Sequence, residues 1–378
     1  MALFVKGNIM SKKIISAGHI CLDITPVFPD TAKGISIDKL LLPGNLVRME
    51  QADVHTGGSV ANTGLALKLL GNEVELLGKI GNDAFGNIVK SIAASYGAGG
   101  LIEDSDSSTS YSVVLAIPGY DRIFLHNPGA NDSFSDNDIP ETSLEDAVLF
   151  HFGYPPLMKK MYANGGEELA GMFRRIKEHG IAASLDLAAV DPASEAGRID
   201  WQEILGNVLP YVDFFVPSFE ELCFMLDRDR YARLHTGGDI TEGLDLIAEA
   251  MPLAEKAISM GCRAVLIKCG TAGMVYKTAP AESFGAIGSR LRIDTAAWAD
   301  KEGIQPCFKA EIIKSGTGAG DTSIAAFLTG ILQGYSPKEC AALAAAEGAC
   351  CVTAYDALSG LKPIEELSLK IKNGWETM

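Results

Sequence analysis

Apolar positions along the chain follow two alternating rhythms. Short runs bounded by Gly, Asp or Pro occur at residues 14–18, 73–80, 147–153, 181–186, 214–217 and 264–268. Runs of that length read as strands buried on both faces of a parallel sheet. Between them lie segments with helical spacing, at residues 166–180, 201–209, 219–226 and 244–260. Nearer the N-terminus, residues 61–70 form a mostly apolar helix closed by Gly71, and residues 81–86 turn into another helix. Ile324, Phe327, Leu328 and Ile331 mark one face of a helix over 322–333, and 337–353 is helical as well. The βαβα alternation predicts a mostly parallel sheet covered by helices on both faces.

Two stretches break the rhythm. Residues 34–37 and 42–49 are short, partly alternating and interrupted by Pro43-Gly44, which predicts a small β excursion within 28–56. Residues 110–125 alternate around Pro118-Gly119 and predict a hairpin. Together 28–56 and 106–128 form a candidate lid on a core of 14–27, 57–105 and 129–371. Residues 227–241 read as an exposed polar loop, and 281–308, with Trp298, shows no period.

Composition narrows the function. The 378 residues are 47% hydrophobic and carry a formal charge of −16, with no Lys/Arg cluster of the kind a nucleic-acid face requires. None of the eight cysteines forms a C-x-x-C pair, which argues against zinc and thioredoxin-type sites and for reduced thiols in a cytoplasmic protein. No apolar run approaches the ~20 residues of a membrane span.

The densest chemistry lies at Lys314-Ser315-Gly316-Thr317-Gly318-Ala319-Gly320-Asp321-Thr322. A glycine-rich loop feeding a helix offers unpaired N–H groups and a partial positive charge to an anion. Asp321 would repel that anion unless it has another task, such as taking the proton of an attacking alcohol. The loop by itself reads equally well as a plain turn with an Asp cap. Its spacing departs from the dinucleotide fingerprint, and Gly78-Lys79 is followed by Ile80 rather than the Ser or Thr of a Walker loop. A second glycine pair, Gly57-Gly58, precedes the helix carrying Asn62, and Asp23 follows the first strand, where open α/β sheets bind ligands.

With these pieces placed, the chain resembles the ribokinase-like (PfkB) carbohydrate kinases over nearly its whole length. Gly57-Gly58-Ser59-Val60-Ala61-Asn62 through Gly71 and Gly81–Gly86 is similar to that family's N-terminal signature, and Gly318-Ala319-Gly320-Asp321 to its C-terminal one. Gly129-Ala130-Asn131, Gly153-Tyr154, Asp186 and Pro217 are smaller echoes. The resemblance implies a Rossmann-type three-layer α/β fold with a β lid, in one kinase domain over 14–371. It implies transfer of the γ-phosphoryl group of ATP, with Mg²⁺, to a hydroxyl of a sugar or sugar acid. Asp321 would be the base and the backbone of Gly318, Ala319 and Gly320 the anion hole. Asp23, Gly57, Gly58, Asn62 and Arg122 would bind the acceptor. Ser218, Glu221, Lys268, Gly270, Gly273 and Thr317 would face the nucleotide, with Glu221 reaching Mg²⁺ through water. Ser315-Gly316 replaces the family's Asp-Thr, which leaves a monovalent cation open, and Ser218 replaces the Asn of its Asn-x-x-Glu motif. A homodimer through the lid fits the same resemblance. A nucleoside kinase, or a non-catalytic sugar- or nucleotide-responsive protein on this scaffold, remains an alternative.

Overall fold

The computed structural model describes residues 13–120, 122–235 and 237–378. Thirteen strands are described: β1 (Lys13–Gly18), β2 (Cys21–Thr25), β3 (Asp53–Gly57), β4 (Glu73–Gly81), β5 (Ile102–Asp104), β6 (Tyr111–Leu115), β7 (Ile123–Asn127), β8 (Ala147–Gly153), β9 (Ala182–Leu185), β10 (Phe214–Phe215), β11 (Ala264–Lys268), β12 (Met274–Thr278) and β13 (Glu302–Gln305). Nine of them build one sheet in the order β13-β12-β11-β10-β9-β8-β1-β4-β5. It is parallel from β11 to β5, and β12 and β13 add an antiparallel edge. This is the mostly parallel α/β sheet that the alternation of strands and helices predicts.

Strand pleating sends alternate side chains to opposite faces, so each apolar strand feeds two cores. Ile14, Leu149 and Leu266 pack with the helices Ser59–Leu69, Ala319–Gln333 and Pro337–Cys351. Ile15, Phe150 and Ile267 pack on the other side with Glu167–Glu178, Trp201–Val208, Phe219–Leu226 and Met251–Ser259. None of the helices among the described residues is long and apolar enough to cross a membrane.

The remaining strands form a separate sheet, β3-β2-β6-β7, beyond the carboxyl end of β1. The hairpin expected around Pro118-Gly119 is present as β6 and β7. The strands expected at 34–37 and 42–49 are absent. That stretch carries a short helix, Ile37–Leu40, and otherwise irregular backbone, with Leu46 97% exposed. Partial alternation without a partner to pair with does not make a strand, and the sheet recruits Asp53–Gly57 instead.

Other local corrections have equally local causes. The supposed loop 227–241 contains the helix Arg228–Leu234, capped by Asp227 and tied by Arg230 and Arg233 to Glu249. The helix expected over 244–260 begins with a π-type turn, Leu246–Ala250, before Met251–Ser259. The aperiodic stretch 281–308 holds two one-turn helices and β13, anchored by the buried Trp298 against Phe214 and Phe327.

Candidate active site

The helix Ala319–Gln333 begins three residues earlier than its apolar period suggests. Gly318 precedes it in a left-handed conformation (φ 75°), and a Cβ there would stand 2.2 Å from the Cβ of Ala357. Only glycine fits that corner. Asp321 is therefore not a cap. It lies inside the first turn, 5% exposed, with its carboxylate turned toward the helix Ser59–Leu69. Among the described residues only one of the three expected anion-hole donors has a protein acceptor: the Ala319 N–H reaches Gly316 O at 3.3 Å.

Three side chains donate to Asp321. Asn62 Nδ2 lies 3.1 Å from Oδ2, Thr63 Oγ1 3.2 Å from Oδ1, and Tyr154 Oη 2.8 and 2.9 Å from the two oxygens. Burial raises the Asp321 carboxyl above its ordinary value, against the pull of Lys268 and of these hydrogen bonds. The Asp321 carboxyl is thus more basic than that of an exposed aspartate.

Lys268, the last residue of β11, completes the charge arrangement. Its Nζ pairs with Asp186 at 2.9 Å and would lie 3.6 Å from a Cβ on Gly320. Burial alone would lower its pKa, but Asp186, Glu221 and Asp321 outweigh burial and keep it charged. A cation so placed faces both the helix N-terminus and Asp321.

These groups open onto a cavity of about 530 Å³, bordered by Ser218, Glu221, Lys268, Gly270, Gly273 and the 318–321 turn. Its far wall is apolar, built from Phe308, Ile313, Ala349 and Val352. Ser218 and Glu221 form a reciprocal cap on the helix Phe219–Leu226: the Ser218 N–H donates to Glu221 Oε2 at 2.8 Å, and Ser218 Oγ accepts from the Glu221 N–H at 3.3 Å. Serine thus does the capping work at that position. Thr317 borders the loop, its hydroxyl 2.9 Å from Ser315 Oγ, and Arg122 at the lid donates to that same hydroxyl. Arg122 thus reaches the loop that precedes the helix Ala319–Gln333.

The other expected acceptor residues gather on the lid side of Asn62. Asn62 N–H donates to Gly58 O at 2.9 Å. Gly57 closes on the Asp23 carboxylate, whose pKa burial raises against hydrogen bonds from Cys21 and Ser112. His19 stands between Gly58 and the rings of His126 and Tyr154. Both of its ring nitrogens are buried without a partner, and burial pushes its pKa down to about 3, so it is neutral. Sequence reasoning assigned no role to Thr63 or His126 and none to Tyr154 beyond its place after Gly153. The available signal was position: Tyr154 directly follows the carboxyl end of a central strand.

Comparison with known proteins agrees with this architecture. The profile of the pfkB family carbohydrate kinases matches residues 13–363. An uncharacterized sugar kinase of Archaeoglobus fulgidus is 26% identical over 304 residues, covering 79% of this chain and 98% of that protein. Fructokinase-1 of Zea mays is 27% identical over 144 residues, which span 37% of this chain and 41% of that protein. The structure of Arabidopsis thaliana ribokinase complexed with ribose and ATP superposes with a TM-score of 0.69 at 19% identity, covering 96% of this chain and 99% of that one. The chain belongs to the pfkB family of carbohydrate kinases.

Proposed function

We propose that this protein transfers the γ-phosphoryl group of ATP to a hydroxyl of a sugar or sugar acid, with Asp321 as general base. The observation that carries the reading is the placement of Asp321. Its buried carboxylate stands between the cavity at the helix N-terminus and the acceptor-side cluster of Asp23, Gly57, Gly58 and Asn62.

The chemistry follows from that placement. An acceptor hydroxyl held near Asn62 gives its proton to Asp321 as its oxygen attacks the γ-phosphorus, and the bond to the β,γ-bridging oxygen breaks to release ADP. N–H groups of residues 318–320 and the Lys268 ammonium face the charge carried by the transferring group, where fixed dipoles cost no reorganisation. The apolar far wall suits a nucleobase. Lid strands β2, β3, β6 and β7 shield the acceptor side from water, which limits hydrolysis of ATP.

Mg²⁺ bound with ATP would neutralise phosphate charge during transfer. Among the described residues no group of three or more His, Cys, Asp or Glu side chains could hold a metal ion. Among the chain's own side chains Glu221, which borders the cavity, would hold such an ion through water, as the hard chemistry of Mg²⁺ permits.

The test is ADP release measured over a panel of sugars, sugar acids and nucleosides. At least one sugar-type acceptor is expected to raise turnover above the ATPase background. Asp321→Asn is expected to bind ATP and lose about 10²–10⁴-fold in kcat. Stimulation by nucleosides alone would turn the assignment to a nucleoside kinase. Stimulated turnover that survives Asp321→Asn would remove the base.

A further inference from the structure

We infer that Tyr154 is a positioning residue for the base, its hydroxyl pinning the Asp321 carboxylate so that one lone pair stays open for the acceptor hydroxyl. The inference rests on the phosphoryl-transfer reading above.

Tyr154 occupies an unusual backbone position. It follows Gly153 at the end of β8 with φ 66° and ψ 41°, the left-handed region. A bulky residue there is strained and persists only where its surroundings enforce it. Pro155 and Pro156, both buried, follow directly, and Leu157 N–H closes the turn on Tyr154 O at 3.0 Å. This left-handed turn carries the ring to Asp321.

The hydroxyl lies 2.8 Å from Oδ1 and 2.9 Å from Oδ2. A single O–H donates to one oxygen at a time. Asn62 and Thr63 supply one further donor each. Three donors on a carboxylate with about four lone-pair sites leave one site for the hydroxyl that must lose its proton. Burial and the Asp321 charge hold the phenol well above its ordinary pKa, so Tyr154 remains a donor. The other ionisable groups facing Asp321 are Lys268 from β11, Asp186 beyond β9 and the Cys351 thiol of the helix Pro337–Cys351.

Tyr154→Phe keeps the ring and the backbone and removes one donor. With that donor gone the charged carboxylate is less favoured, so Asp321 titrates at higher pH. The variant is expected to lose about tenfold or more in kcat, to keep both KM values within about twofold, and to move the acid limb of its pH profile upward. A purely structural role would not move that limb.

A second readout needs no turnover. Carbon-13 NMR of aspartate-labelled protein, with the Asp321 signal assigned by its loss in Asp321→Asn, reports the carboxyl titration directly. The Asp321 signal is expected to titrate at higher pH in Tyr154→Phe than in the parent. An unchanged titration would overturn the inference even if the parent transfers phosphate. A parent inactive on every acceptor would instead sink the transfer reading, while a shifted titration would still establish the pinning contact.

Discussion

Replacing Gly57 by alanine should separate the acceptor side of the site from the nucleotide side. Gly57 ends β3 and does not use a left-handed backbone, so alanine adopts its conformation without strain. The obstacle is purely steric. A Cβ at Gly57 would stand 2.1 Å from Asp23 Oδ2 and 2.6 Å from Asp23 Cγ. The carboxylate must retreat by about 1 Å, and a misplacement of that size can cost on the order of 10²-fold in rate. Nothing on the Lys268–Asp321 side is touched. The expectation is a fall of about 10²-fold in kcat/KM for the acceptor with an unchanged KM for ATP. Initial rates with each substrate varied at saturation of the other would measure it. Gly71→Ala is the control: its left-handed φ of 89° is strained for alanine, but no neighbour lies within 4 Å. It should cost about 1–2 kcal/mol of stability and leave the acceptor constants alone. A folded Gly57→Ala protein with normal acceptor kcat/KM would refute the placement of Asp23 at the acceptor.

Three further outcomes are expected. Lys268→Met should lower kcat by about 10²–10³-fold, read in single-turnover transfer, because it removes the cation between the helix N-terminus and Asp321. The segment 375–378 pairs with Cys307, Phe308 and Lys309, stacks Trp375 on Phe308 at 4.9 Å, and brings Met378 to the rim of the cavity. Its deletion should raise the KM for ATP about tenfold, the loss of about 1.4 kcal/mol of apolar contact, without moving the acceptor KM. Glu347 is buried with one carboxyl oxygen unpaired, and burial pushes its pKa up to about 8 from 4.5. Because the unfolded chain ionises first, its stabilising contribution is complete below 4.5 and lost as pH rises through 8. Thermal melts should therefore show the parent losing stability from pH 5 to pH 8, and Glu347→Gln recovering about 1–3 kcal/mol at pH 8.

Much of the fold is legible in the chain because buried parallel strands are written as short apolar runs, and Ile14-Ile15 or Leu149-Phe150 serve two cores at once. The lid is harder to read. Residues 42–49 alternate no worse than 53–57, yet only the latter meet β2 as a neighbour, and pairing is a property of two segments. The helix Arg228–Leu234 is obscured for a related reason: its polar face is stabilised by Glu249, which lies outside the segment, 16 residues beyond Arg233.

The candidate site divides in the same way. The order of residues along the chain determined the glycine-rich turn, its helix and the acid in that turn, because a helix N-terminus and glycine's freedom are local properties. It determined Gly57-Gly58 before Asn62 for the same reason. Only the tertiary structure decided that Asn62, Thr63 and Tyr154 converge on Asp321, across 259, 258 and 167 residues of sequence. It also decided that Lys268 lies between Asp186 and Gly320, and that Arg122 reaches Thr317. The charge and hydrogen bonding that tune a base depend on which strand ends meet. That is set by sheet order, and no local pattern encodes it.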